Sequence, residues 1–263
     1  AKAAGHTVEL FEKTDKLGGQ LIHGDYFSFK WPIGNYKNWL IDQLKKNDII
    51  VHMNCEPTAD EIRSRGFEAV LAATGAAPSL PKSIKGITDE DGNKKEGIYT
   101  IIDTFGKASK MGHKVVICGG SESAIETAMY LCEEGHEVTV LTRQKEVAHD
   151  ASKLHYITMS WVKRAEDGMA YESPAWERYE SLSYVTEATT LEVKEGSVVY
   201  EKDGDTHEIP ADTVVICGGS KACVDEAYSY AGATDEFYMI GDCNGAGNVQ
   251  RCTQDAYSRA MLL

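Results

Sequence analysis

Apolar positions along the chain fall into two kinds of run. Residues 7–12 (TVELFE), 49–53, 69–73, 115–118, 138–141 and 237–240 are short and mostly apolar, as strands are. Residues 31–47 and the run from Gly120 to Glu134 instead carry helical spacing, and a last helix is expected to begin near Asn248. Thr58 with Glu61 three residues on predicts a capped helix start. Strand and helix thus alternate, which predicts an α/β fold with parallel strands.

Pro78 and Pro81 interrupt the alternation, the charged stretch 89–97 reads as a solvated turn, and a boundary is placed near residue 105. The pattern restarts at Lys114. Residues 5–12 match residues 135–142 in register, and the strand end 72–75 resembles 216–219, which points to an internal duplication. Residues 191–200 and 206–209 read as hairpin strands around Asp203-Gly204. Residues 151–185, rich in Tyr, Trp and Glu, are the least readable and are assigned no function. The opening residues 1–6 read as the tail of a helix stopped by Gly5, which implies chain upstream.

At 263 residues the chain is long enough for about two domains, and 42% hydrophobic with 26% charged residues is ordinary for a soluble globular protein. The net charge of -14, with no Lys/Arg block longer than a pair, argues against nucleic acid or an anionic membrane as a partner. No apolar run approaches the roughly 20 residues of a membrane helix. The 7 cysteines include no CxxC pair and no Cys/His metal spacing, so no metal is expected, and a reducing cytoplasm is the expected compartment.

The chemistry concentrates at strand ends. Gly119, Gly120, Ser121, Glu122, Ser123 and Ala124 follow an apolar strand and open a helix, where small residues let backbone amides approach a pyrophosphate at the positive end of a helix. An ordinary tight turn is the alternative. The next strand ends at Thr142-Arg143, and with no carboxylate there Arg143 favours the 2′-phosphate of NADPH, NADH being the alternative. The corresponding residue in the first half is Glu12, which can accept from the hydroxyls of an adenosine ribose in FAD or NAD; Lys13 follows it, and Gly18, Gly19 and Gln20 supply flexible backbone. Asp242, after Gly241 and ahead of a helix opening at Asn248 and Val249, could hold a ribityl hydroxyl or simply cap its turn. Thr74 and Gly75 at one strand end, and Gly219 at its counterpart, complete the cofactor-binding set. His23 and His113 read as ordinary polar histidines, and no catalytic residue is named.

Together, Glu12 with Gly18-Gly19-Gln20, the Ala73-Thr74-Gly75 strand end, the 119–126 fingerprint and Gly241-Asp242 resemble the two-dinucleotide-domain flavoprotein disulfide reductase superfamily over essentially the whole chain. The resemblance implies two Rossmann-like domains, an FAD-type domain split between 1–105 and 213–263 and an inserted NAD(P)H-binding domain, 106–212. The fingerprint looks most like that of thioredoxin reductase, yet its CxxC is absent, so electrons reaching the flavin must leave by another route. Gly18-Gly19-Gln20-Leu21, Gly241-Asp242-Cys243-Asn244 and the final helix look like the C-terminal half of multi-domain old-yellow-enzyme relatives, the 2-enoate and 2,4-dienoyl-CoA reductases.

That narrower resemblance implies an upstream barrel carrying FMN and an iron–sulfur cluster, absent from this sequence, as are a first strand and a first GxGxxG expected just before Ala1. The function it implies is relay of hydride from NADPH or NADH to FAD, and onward to a barrel that reduces an unsaturated acid or thioester. The fragment by itself is expected to be largely colourless and inactive. Two other readings stand beside it: a stand-alone electron-input subunit for a separate partner, and a nucleotide-binding module without turnover.

Overall fold

The structure is a computed structural model that describes residues 1–151, 160–164 and 170–263. Parts of the unreadable stretch 151–185, namely 152–159 and 165–169, lie outside the described residues. The first third supplies β1 (Glu9–Glu12), α1 (Trp31–Lys46), β2 (Ile50–Met53), α2 (Ala59–Ser64), β3 (Ala69–Ala72) and β4 (Ala76–Pro78). The middle supplies β5 (Ile98–Thr100), β6 (Lys114–Cys118), α3 (Glu122–Glu133), β7 (Glu137–Leu141), β8 (Ser160–Arg164), β9 (Ala170–Pro174) and β10 (Leu182–Val185). Then follow β11 (Ala188–Lys194), β12 (Ser197–Lys202), β13 (Asp205–Pro210) and β14 (Thr213–Ile216). The tail adds β15 (Ser220–Ala222), α4 (Val224–Tyr228), β16 (Glu236–Met239) and α5 (Val249–Ala260).

Two compact units emerge, one from Ala1–Ala77 with Ser220–Leu263, the other Pro78–Gly219. The boundaries expected near 105 and 212 both fall inside the second unit. The cause is strand pairing: β5 pairs with β14, and β14 with β6, so residues on both sides of those boundaries share one sheet.

That sheet has five parallel strands in the order β10-β7-β6-β14-β5. Parallel neighbours need a crossover, and α3 supplies it between β6 and β7. Central strands of such a sheet are covered on both faces, hence the unbroken apolar runs: β14 is buried throughout, and β6 is buried from Val115 to Cys118. An antiparallel meander, β11-β12-β13, contributes Val198 to a core with Ile87, Ile98, Val116, Leu141, Val214 and Ile216. Asp203 and Gly204, both at positive φ, turn β12 into β13 as expected from the Asp-Gly pair. The run 191–200, read as one strand, is divided between β11 and β12 by a turn at Glu195-Gly196, where Gly196 has φ 75°.

The first unit is assembled differently. Its parallel strands form two separate pairs, β1 with β2 and β3 with β16, and β4 pairs with β15. Ala72, Ala227 and Cys243 form one buried cluster there, with Val70, Phe237 and Met239 against them. Thr58 caps α2 as expected, its hydroxyl accepting from Glu61 N–H at 3.2 Å while Glu61 Oε2 accepts from Thr58 N–H at 2.7 Å. Gly5 ends a short 3-10 turn (Lys2–Ala4) at φ 103°, and Gly135 precedes β7 at φ 93°, so the two matching sequence stretches open with the same backbone device.

Candidate functional site

In the second unit, three predicted positions meet at the carboxyl ends of adjacent parallel strands, where open α/β sheets bind ligands. Gly119, just past β6, donates its N–H to Leu141 O at 2.8 Å and has φ 121°. A Cβ there would lie 2.4 Å from Cys217 O, and one on Gly120 would lie 2.5 Å from Thr142 Cβ. Side-chain-free backbone is therefore a packing requirement at both positions. Thr142 is buried and Arg143 beside it is exposed. Past β14, Cys217 donates its N–H to Cys118 O at 2.9 Å, and Gly219 at φ 78° accepts from Ser79 N–H. Glycine turn, arginine and Gly219 thus surround one group of strand ends.

Ser121 is the N-cap of α3, but its hydroxyl makes no cap bond and lies 3.1 Å from Cys217 Sγ. Glu122 and Ser123 begin the helix, and Ala124 is fully buried. Burial pushes the Cys217 thiol up, partly offset by the Ser121 hydroxyl. Burial pushes Cys118 up to about 12. Raised pKa values keep both thiols neutral near neutrality, so neither offers a charge to a ligand here.

The first unit gathers a second set. Ile240 N–H bonds to Ala72 O at 2.9 Å, which places Thr74-Gly75 and Gly241-Asp242 at neighbouring strand ends. Thr74 Oγ1 donates to Cys223 O at 3.3 Å, and Gly75 O accepts from Cys223 N–H at 3.0 Å. Lys13 Nζ lies 3.4 Å from Glu226 Oε1 on α4, tying the turn after β1 to the helix that follows Cys223. Glu12 is oriented locally: its Oε1 accepts from Thr14 N–H at 2.8 Å and Thr14 Oγ1 at 2.7 Å. Asp242 Oδ1 accepts from Gly247 N–H at 3.0 Å and from Cys252 Sγ at 3.3 Å, which ties it to the loop and helix that follow it. Asn248 caps α5 through Arg251 N–H at 2.9 Å, and Val249 is the first helical residue.

Gly18, Gly19 and Gln20 lie instead against α1. A Cβ on Gly18, at φ 123°, would stand 2.7 Å from Lys37 Cδ, and Gln20 O is bonded to His23 Nδ1. Lys37 is 8% exposed and ion-paired with Asp25. Helical spacing alone would have put a lysine at the surface, and no sequence signal marked it. Asp150 was likewise missed: its Oδ1 accepts from Glu122 N–H at 2.7 Å across 28 residues, a separation that no local pattern reports.

These features define a class, an α/β fold of the FAD/NAD(P)-binding oxidoreductase type with a parallel sheet. The pyridine nucleotide-disulphide oxidoreductase family profile matches residues 68–219, more than half of the chain, and the chain belongs to that family. Membership makes it part of a flavin-dependent pyridine-nucleotide oxidoreductase family that binds FAD and NAD(P)H. It is 26% identical over 262 residues to the cinnamate reductase of Clostridium sporogenes, covering 99% of this chain and 36% of that protein. It is 25% identical over 280 residues to the metal reductase of Desulforamulus reducens, covering 99% and 41%. A 2-naphthoyl-CoA reductase structure superposes with TM-score 0.83 at 29% identity, over 98% of this chain and 36% of that one. The chain therefore spans well under half the length of these relatives. No helix among the described residues is long and apolar enough to cross a membrane.

Proposed function

We propose that this chain is the nucleotide-handling part of a larger NADPH-dependent reductase, NADH being the alternative donor, related to the multi-domain old-yellow-enzyme group. In this reading an upstream barrel with FMN and an iron–sulfur cluster reduces a conjugated unsaturated acid or thioester. The observation that carries it is the convergence of Gly119–Ser121, Arg143 and Gly219 at the carboxyl ends of β6, β7 and β14, in a family that uses NAD(P)H. Two relatives, a cinnamate reductase and a 2-naphthoyl-CoA reductase, favour a conjugated acid or thioester as final acceptor; the metal reductase keeps a different acceptor in view.

Each residue has a role in holding or orienting. The bare backbone of Gly119 and Gly120 lets a pyrophosphate approach the first turn of α3, where the helix's positive end favours an anion; the Ala124 N–H is bonded to Ser121 O, so the Glu122 and Ser123 amides are the ones proposed to face it. Arg143 receives the 2′-phosphate through its planar guanidinium. In the first unit, Glu12, already fixed by Thr14, accepts from ribose hydroxyls of FAD, with Lys13 beside it. Thr74, Gly75, Gly241, Asp242, Asn248 and Val249 frame its ribityl and phosphate end. The nicotinamide supplies hydride and the flavin carries the electrons onward, so the chain contributes binding and position and no acid or base.

Anaerobic mixing of the full-length protein with NADPH tests the reading, with loss of flavin absorbance expected. A flavin that stays oxidised with both NADPH and NADH would leave only a nucleotide-binding module. In the same experiment Arg143→Ala is expected to weaken NADPH about 10- to 100-fold, the range for one charged hydrogen bond, and to leave NADH nearly unchanged. Equal loss with both coenzymes removes the reason for preferring the phosphorylated one.

A further inference from the structure

The start of α3 is already engaged by an anion of the protein itself. With the Ser121 hydroxyl turned to Cys217, the Glu122 N–H donates to Asp150 Oδ1 at 2.7 Å. The loop that brings Asp150 there is anchored at several points. Gln144 donates its N–H to Thr142 Oγ1 at 3.2 Å, and its carbonyl accepts from Glu187 N–H at 2.9 Å. Ala148, at φ 52°, donates its N–H to Gly120 O at 2.8 Å, and both Val147 and Ala148 are buried. Residues 144–150 therefore lie against the strand-to-helix turn, and Asp150 lies close enough to Cys217 for its charge to raise that thiol's pKa.

We infer that Asp150 is a residue of the nucleotide site that sets affinity by competition: its carboxylate takes the helix amide that a dinucleotide phosphate would otherwise accept from, and the nucleotide binds by displacing it. The inference rests on the reading of Gly119–Ala124 as the dinucleotide turn and extends it. A phosphate and a carboxylate cannot share one amide without repulsion, and each is favoured at the positive end of a helix for the same reason. Asp150 is exposed, so displacement needs no unfolding: the side chain can swing into water while Ala148 keeps its bond to Gly120. Ligands with phosphates must meet this competition, and ligands without them do not.

The test is equilibrium titration of the 263-residue chain and of Asp150→Asn with NADPH, NADH, ADP and adenosine, with thermal melts to confirm folding. Asn keeps an acceptor for the Glu122 N–H and removes the charge. The expected result is NADPH, NADH and ADP binding about tenfold tighter to the variant, with adenosine unchanged, and an advantage that shrinks as salt rises from 20 to 500 mM. Asp150→Ala provides the second variant, expected to show the same phosphate-selective gain. Unchanged or weaker binding of ADP by both folded variants overturns the inference while leaving the nucleotide site intact. A gain shared by adenosine also overturns it, since that would reflect a loosened loop. Absence of binding by wild type and variants alike overturns the dinucleotide-turn reading and this inference with it.

Discussion

Two stretches with the same sequence pattern, residues 5–12 and 135–142, end in unlike surroundings. Residues 135–142 become β7, which is paired on both sides, by β6 and β10, and has Val138, Val140 and Leu141 buried. Residues 5–12 become β1, which among the described residues is paired with β2 alone and has no fully buried residue. The contrast extends to the whole units. The second has a continuous five-stranded sheet whose inner strand β14 is buried through its length, whereas the first has parallel strands in separate pairs and a terminal helix, α5, with no buried residue. Strand propensity is local, but burial depends on what pairs beside the strand, and two-stranded sheets are marginal by themselves.

The sharpest way to break this comparison is to remove equal apolar groups from each unit. Ile117→Ala on β6, at 0% exposure, is expected to cost about 2–5 kcal/mol, and Leu10→Ala on half-buried β1 about 1 kcal/mol, by urea denaturation. Equal costs would mean that β1 is as deeply packed as β6. Next, Gly119→Ala combines φ 121° with a Cβ 2.4 Å from a carbonyl oxygen and is expected to lose about 3 kcal/mol together with nucleotide binding. Gly19→Ala, at φ 50° with open space around its Cβ, is expected to lose about 1 kcal/mol. Similar melting temperatures for the two variants would show that the turn after β6 relaxes around the new methyl.

The smallest effect expected is a pH-dependent one. Burial acts against ionisation of Asp103, yet the Lys94 ammonium together with the Thr100 N–H and hydroxyl, at 2.9 and 2.8 Å, holds its carboxyl below the usual carboxylate value. A lowered folded-state pKa stabilises above the ordinary value near 4 and loses that stabilisation as pH falls through the folded-state value. Asp103→Asn, just past β5, is expected to cost about 1 kcal/mol at pH 7 after solvent screening and to converge with wild type once the pH falls below the lowered folded-state value. Glu61 in the first unit is also held below its usual value by the Thr58 N–H and hydroxyl, but it is fully exposed. Glu61→Gln should move the pH profile less than Asp103→Asn, and the reverse order would contradict the contrast between the units.

What could be read from residues alone was whatever local chemistry dictates. The Thr58–Glu61 cap, the strand-to-helix turn at Gly119–Ser121, the glycine stops at Gly5 and Gly135 and the Asp203-Gly204 turn each depend on neighbours within a few positions. The family resemblance rested on such turns as well. A local signal was also passed over: the alternation of residues 191–194 breaks at Glu195-Gly196-Ser197, and that is where the chain turns from β11 into β12. The remainder was settled by contacts between residues far apart in the chain. β5 joined the sheet of β14, Lys37 became buried against Gly18 and Asp25, and Asp150 reached the first amide of α3. Periodicity specifies which face of an element is apolar; which distant residue comes to lie against it is decided only when the chain closes on itself.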